Sequence, residues 1–511
     1  MSVHLKRRDF IRLAGAATAS GFVRGAPRVA PRVLSSPAKS GRPNVLMITL
    51  DDLRPEIGCY GVNLIRTPNI DRLAAEGTAF TRAYCAQGVC NPSRVSILTG
   101  LRPDSHRVWD NETHFRQFHP GITTLPQAFR SHGYLNAGIG KVFHATLPDP
   151  PSWSRFALPP DDTPVYMSKE TRARQVRRED AARKQGYSQS WINAYLRGPS
   201  TEASETADNA HWDWALADLG VAMLGDLKKS QPFFLGLGFA KPHLPYVAPK
   251  RYWDLYRRED IPLAANGRPP HGAPPFAINN LTELASHEDL VDVPNPAEGS
   301  LDDDRARLLK HGYYACVSFV DTQVGRLLDA LDAQGLRDNT IIVLLGDNGF
   351  KLGEHGSWGK LTNYETDVRA PLIVSVPGQK FPGTASTALV EMVDIYPTLC
   401  ELAGFDPPHD LEGTSLAPLL EDPSRPWKPA AFSQYPRGFT NRFMGRSMRT
   451  DRYRYTEWRD QIDDRQVAVE LYDHATDTGE DVNVAGDPAN KELVRELAAR
   501  LAAGWKAARP A

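Results

Sequence analysis

The chain has 511 residues, of which 41% are hydrophobic and 24% charged, enough to close a large core and more than one domain, which excludes a fibrous or wholly disordered protein. Sixty basic residues stand against sixty-one acidic ones, a formal charge of −1, so a general polyanion or nucleic-acid binder is excluded and any anion recognition is local. Cys59, Cys85, Cys90, Cys316 and Cys400 are too few and too scattered for a disulfide scaffold.

At the N-terminus, Lys6-Arg7-Arg8-Asp9-Phe10-Ile11 leads into an Ala-rich apolar stretch that ends near Ala17-Thr18-Ala19. This resembles a bacterial twin-arginine export signal and implies a periplasmic or extracellular protein; the alternative is a basic N-terminus with no address. The run is too short to span a bilayer, so no stable membrane insertion is expected. Residues 21–42 are rich in Pro, Ser, Ala and Arg and predict a linker that is disordered or removed. Three parts follow: signal and linker at 1–43, a catalytic domain at 44–425, and a smaller α+β domain at 426–511.

Continuous apolar runs at 45–50, 134–139, 233–239, 341–345 and 371–376 predict buried parallel strands. Helical patterns lie between them at 70–76, stopped by Gly77, at 126–131, stopped by Gly133, and at 212–228 and 305–333. A further short helix opens at Cys90-Asn91-Pro92-Ser93-Arg94, with Pro92 in its first turn, Val95, Ile97 and Leu98 as apolar positions and Gly100 as its stop. Cys90 is thereby placed near unpaired N–H groups that favour an anion; the plainer reading is a buried free thiol. The alternation predicts an α/β fold, a large mostly parallel sheet sandwiched by helices. Two stretches read as insertions: a charge-dense surface helix at 168–184, and residues 264–300, rich in Pro, Asn and Gly, either disordered or a functional rim. Beyond a boundary at 423–429, β-like runs at 453–458 and 469–472 precede an amphipathic helix at 491–505.

In such sheets ligands gather at the carboxyl ends of strands. Asp51 and Asp52 follow the first strand, Lys141 and His144 the second, Lys241 and His243 the third, and Asp347 and Asn348 the fourth. The Asp51, Asp52, Asp347 and Asn348 oxygens form a donor set suited to a hard cation, and Ca²⁺ tolerates an irregular cage better than Mg²⁺. The alternative for Asp51-Asp52 alone is a helix cap or surface turn.

Residues 90–94, C-N-P-S-R, followed by a short helix and T-G, resemble the signature of the type I sulfatases, whose cysteine is converted to 3-oxoalanine (formylglycine), an aldehyde that hydrates to a geminal diol. The likeness continues through 44–61, G-K-V-F-H at 140–144, 233–246 with its K-P-H-L-P-Y, 313–328, 344–365 and 444–458, and points to the iduronate-2-sulfatase-like subgroup. One departure is Asp347-Asn348, where the human-type lysosomal members carry D-H.

The resemblance implies an alkaline-phosphatase-like fold and one Ca²⁺ held by Asp51, Asp52, the modified Cys90, Asp347 and Asn348. It implies that Lys141 and Lys360 bind sulfuryl oxygens, that Arg94 holds the diol from behind, that His243 protonates the leaving oxygen and that His144 later removes a proton from the diol. Implied partners are a sulfated saccharide, desulfated at a uronic acid or related sugar at a chain end, and a formylglycine-generating enzyme during maturation. Glu354, His355, Phe350, Trp358, Tyr364 and Lys241 stay open between substrate contact and structure. The alternatives are a phosphodiester or phosphonate monoester hydrolase of related fold and a catalytically dead sulfated-glycan binder.

Overall fold

Eight strands form the central sheet of the computed structural model, which describes residues 41–510 apart from 161, 230, 231 and 280. The basic N-terminal stretch and its linker, read above as an export signal, lie outside the described residues. The sheet comprises β1 (Asn44–Asp51), β2 (Thr78–Tyr84), β3 (Leu135–Gly140), β4 (Arg155–Ala157), β6 (Phe233–Pro242), β8 (Thr340–Gly346), β11 (Leu372–Ser375) and β12 (Thr384–Glu391). Two small ribbons pair β5 (Thr201–Ser204) with β7 (Tyr246–Pro249) and β9 (Lys351–Leu352) with β10 (Trp358–Gly359). The order across the central sheet is β12-β2-β11-β8-β1-β6-β3-β4.

All five predicted apolar runs are strands of this sheet. One differs in direction: β11, expected parallel, runs antiparallel to both β8 and β2. Between it and β8 lie the β9–β10 ribbon and the one-turn helix Glu365–Val368, too short to carry the chain back across a face of the sheet as a parallel connection requires. Three strands have no apolar run to announce them. β2 carries Thr81 and Arg82 in its middle, and β12 opens with Thr384-Ala385-Ser386-Thr387 at the edge of the sheet. β4 is only the three residues Arg155-Phe156-Ala157 at the other edge.

Burial on both faces explains the uninterrupted apolar runs, because side chains alternate sides along a strand. Leu46, Ile48 and Leu50 of β1 join Ile342 and Leu344 of β8 in a core with Ile70, Leu216 and Val320 from the helices Pro68–Glu76, Trp212–Leu227 and Asp303–Ala333. Val45 and Met47 join Ile341, Val343 and Leu345 in a second core with Val95, Phe129 and Leu399 from the helices Cys90–Thr99, Leu125–Ser131 and Ile395–Leu402. Each fully buried side chain of this kind contributes about 1.5–3 kcal/mol, so the site above is mounted on a rigid floor.

A second, antiparallel sheet of β13 (Ala430–Arg437), β14 (Phe443–Thr450), β15 (Tyr453–Asp460) and β16 (Gln466–Asp473) carries the helix Lys491–Ala507 through Leu497, Tyr455 and Leu471. Its first strand touches the segment that leads into the Cys90 helix: Gln434 N–H donates to Ala86 O at 2.9 Å and Ser433 Oγ to Cys85 O at 2.7 Å. The charged insertion is the helix Lys169–Lys184, capped by Ser168 Oγ, which accepts from Thr171 N–H. Among the described residues no helix is long and apolar enough to cross a membrane.

Candidate active site

The four strands that end in polar residues are neighbours, in the order β8-β1-β6-β3. Their register is level: Leu50 pairs with Gly346 on one side and Phe239 on the other, and Gly140 pairs with Gly238. Asp51 closes β1, and Asp52 turns into the left-handed region at φ 62°. Asp52 is fixed there by its N–H, which donates to Asp347 Oδ1 at 3.0 Å, and by Tyr313 Oη–H, which donates to Asp52 O at 2.8 Å. Lys141 N–H donates to Gly238 O at 2.8 Å. A Cβ on Gly238 would lie 2.1 Å from the Lys141 carbonyl, so only glycine permits this approach.

Cys90 is the first residue of its helix and 1% exposed, with Sγ 4.0 Å from Asp52 Oδ1. Burial pushes its thiol well above the ordinary value and Asp51 adds to the effect, so an unmodified thiol here stays protonated and is a poor nucleophile. Arg94, one turn on, is fully engaged: Nη2 lies 3.1 Å from Asp51 Oδ1, Nε 2.8 Å from Asp347 Oδ2, and Nη1 donates to the carbonyls of Lys141 and Val142. It braces the carboxylates.

Asp51, Asp52 and Asp347 each offer an oxygen within 4.8 Å of the others. Lys141 Nζ pairs with Asp51 Oδ2, and Lys360 Nζ lies 2.5 Å from Asp52 Oδ2. Burial works to raise Asp51, but Lys141, His243 and Arg94 outweigh it and hold that carboxyl well below the usual range. Asp52 is pushed up to about 6 by burial, with Asp51 and Asp347 crowding it against the pull of Lys360 and His243. Asn348 Nδ2 donates to Asp347 Oδ1 at 2.6 Å and Asp52 Oδ1 at 3.2 Å, while its buried Oδ1 has no hydrogen-bond partner. An orphaned acceptor beside three buried carboxylates fits a hard divalent cation, which would satisfy it and offset the crowding.

His243 lies within reach of this cluster, its ligand atom and those of Asp51 and Cys90 falling within 4.8 Å of one another. Its Nδ1 faces Leu244 O at 2.6 Å, and its Nε2 faces Glu283 Oε1 at 3.2 Å and Asp52 Oδ2 at 3.6 Å. His144 follows Lys141 on the neighbouring strand end; its Nδ1 meets Thr146 Oγ1 at 3.0 Å. Burial pushes His144 down to about 3, with Lys141 adding to the effect, so the ring is neutral.

Lys241 is turned away: Nζ donates to Pro245 O at 2.6 Å and His243 O at 3.3 Å, bracing the loop that carries His243. Glu354 pairs with Arg54 at 2.9 Å, and His355, at φ 57°, is buried with Nε2 on Gly479 O at 2.8 Å. Phe350 packs flat on Tyr313 beneath Lys360, Trp358 is buried, and Tyr364 Oη donates to Glu470 at 2.8 Å. The side chain at this cluster that sequence reasoning missed is Glu283, in the 264–300 insertion, which meets His243 and Lys360; a lone acid in a polar loop carries no local signal, and only the insertion's length pointed to a rim.

Residues 43–405 match the Sulfatase family model, and residues 353–506 match that of the N-sulphoglucosamine sulphohydrolase C-terminal region. The chain belongs to the sulfatase family. This sulfatase is 34% identical to iduronate 2-sulfatase of Homo sapiens, over 89% of its own length and 93% of the relative's. It is 32% identical to a sulfatase of Formosa agariphila, over 90% and 86% of the two chains. Among solved structures it resembles the phosphonate monoester hydrolase of Agrobacterium radiobacter, with a TM-score of 0.71 and 26% identity over 91% and 96% of the chains. The sulfatase is thus a sulfuric ester hydrolase on an alkaline-phosphatase-like fold, with an acidic cluster able to hold a metal.

Proposed function

We propose that this sulfatase removes an O-sulfate from a uronic acid or related sugar at a chain end, using formylglycine made from Cys90 and one Ca²⁺. The observation that carries the reading is the cluster at residue 90: three buried carboxylates with the orphaned Asn348 oxygen, and the ammonium groups of Lys141 and Lys360 paired with Asp51 and Asp52. Asp51, Asp52, Asp347, Asn348 and residue 90 would hold the cation, which supplies polarisation of the sulfuryl oxygens. Lys141 and Lys360 bind non-bridging oxygens as point charges, and Arg94 keeps Asp51 and Asp347 in place. The diol of residue 90 supplies the oxygen that attacks sulfur, His243 gives a proton to the leaving sugar oxygen, and neutral His144 takes the proton whose loss lets the second diol oxygen expel sulfate. A serine would lack that second hydroxyl.

Maturation then requires a formylglycine-generating enzyme, and the twin-arginine-like N-terminus suits a protein exported already folded. The chemistry belongs to residues 44–425, with 426–511 as the smaller domain. The deciding experiment is a panel of defined sulfated saccharides, uronate against hexosamine and 2-O against 4-O or 6-O, with a phosphonate monoester and a phosphodiester beside them. Desulfation of a uronate, abolished by a calcium chelator that also lowers the thermal transition, is the expected result. Turnover of the phosphorus esters with every sulfated sugar inert would replace the reading with its rival.

A further inference from the structure

The 264–300 insertion is tied to the catalytic cage at a specific place. Asn279 Nδ2 donates to Lys360 O at 2.7 Å and Trp358 O at 3.3 Å, clamping the insertion onto the loop that delivers Lys360. Two residues later Leu281 adopts φ 55°, and this left-handed turn starts the one-turn helix Thr282–Ala285, which bears Glu283. Glu283 Oε1 lies 3.2 Å from His243 Nε2 and its Oε2 3.5 Å from Lys360 Nζ. From the far side Arg197 Nη1 reaches Glu283 Oε1 at 3.2 Å, while Arg197 N–H donates to Ser286 O at 2.9 Å. The carboxylate is therefore held by Lys360, Arg197 and the His243 ring and cannot swing freely.

The hydrogen bonds of His243 show what this arrangement does. Leu244 O, against Nδ1, and the Glu283 carboxylate, against Nε2, can only accept. A ring clasped on opposite edges by two acceptors has its plane fixed, with Nε2 facing Glu283 Oε1 and, at 3.6 Å, Asp52 Oδ2.

We propose that Glu283 is a positioning residue for the reaction: it orients the His243 ring and restrains Lys360, so that the rim insertion, and not the sheet alone, sets the proton donor. The proposal rests on the reading of His243 as the acid of the sulfatase reaction. As the bond between sulfur and the sugar oxygen breaks and the sulfuryl group passes to the residue 90 oxygen, the leaving oxygen displaces Glu283 as partner of Nε2–H and takes that hydrogen. Glu283 touches neither the sulfuryl group nor the nucleophile.

The test compares the full-length, formylglycine-bearing protein with Glu283→Gln, Glu283→Asp and Glu283→Ala. The first readout is the ¹H–¹⁵N spectrum of the histidine rings, with His243 assigned by its loss in His243→Gln. Glu283→Ala should shift the His243 ring nitrogens and abolish a slowly exchanging Hε2 signal, and Glu283→Asp should shift them less. The second readout is kinetic: on the best sulfated sugar of the panel, kcat should fall about 10–100-fold in Glu283→Ala, within the range of acid catalysis, with KM changed less than about threefold. The shape-preserving Glu283→Gln should lose most of the same activity with an unchanged unfolding transition. A His243 spectrum unmoved in Glu283→Ala overturns the proposal, as does a loss confined to KM. If no sulfated sugar turns over, the functional reading fails, while the ring spectrum still decides the Glu283–His243 contact.

Discussion

Residue 90 is a weak nucleophile as the gene encodes it. Burial, with Asp51 and Asp347, pushes the thiol at the head of the helix well above its ordinary value against the pull of Lys141 and Lys360. Oxidation to an aldehyde removes that obstacle, because a hydrated carbonyl is an oxygen nucleophile that the cationic side chains can activate. Cys90→Ala is therefore expected to abolish turnover, a loss of at least about 10⁴-fold, with an unchanged thermal transition, and peptide mass spectrometry of active protein should find formylglycine at 90. Full activity in Cys90→Ala would remove the nucleophile from the proposal. At this scale the sequence was largely legible: Cys90, Asp51, Asp52, Asp347 and Asn348 follow directly from a motif and from strand ends. The role of Arg94 was not, since its partners lie on three separate chain segments.

At the scale of elements, the site depends on four adjacent strand ends lying level. The closest approach is between β3 and β6, where Gly238 meets the Lys141 carbonyl with no room for a methyl group. Gly238→Ala should destabilise the protein by about 1–3 kcal/mol, as overpacking of a rigid core does. It should also weaken turnover by moving Lys141 off Asp51. Denaturant unfolding beside sulfatase assays measures both; wild-type values for both would show that β3 and β6 can part at little cost. The apolar strands were legible because double-sided burial leaves uninterrupted apolar runs. β2 and β12 were not, since Arg82 and the polar start of β12 sit on half-buried or edge positions where packing does not demand an apolar residue.

The whole molecule is joined by buried ion networks that span the two sheets. Arg454 of β15 binds Glu365, near the central sheet, and Glu480, both at 2.5 Å, and Arg449 and His474 complete the cluster. The trio Glu365, His474 and Glu480 is compact enough for a metal but is already filled by these arginines. Burial works to raise Glu480, yet Arg454 and His474 hold it far below its ordinary 4.5. Glu391, held by Arg102 and Lys428, and Glu354, held by Arg54, are both brought down to about 2 against the same pressure.

The sign follows from these directions. Carboxyls depressed in the folded state contribute stability that is complete above the unfolded value of 4.5 and is lost as pH falls toward 2. Arg454→Met, which leaves two buried carboxylates without their partner, should cost about 3–5 kcal/mol near neutral pH. That deficit should shrink as acid protonates Glu365 and Glu480. Unfolding free energies measured from pH 7 to pH 3 decide the matter; a deficit that stays constant across the range would show that the cluster carries no linked protons.

The sequence by itself determined the apolar strands β1, β3, β6, β8 and β11, the helix that opens at Cys90, the carboxylates and lysines around residue 90, and the sulfatase family. Periodicity and short motifs report local requirements, and these are local. Only the tertiary structure decided that β8, β1, β6 and β3 are neighbours, that β11 runs backwards among them, that Arg94 braces two carboxylates, and that Glu283 reaches His243. The physical reason is common to all four: each is a contact between segments far apart in the chain, chosen by which buried surfaces and charges satisfy one another once the chain has closed, and nothing in either segment alone records its partner.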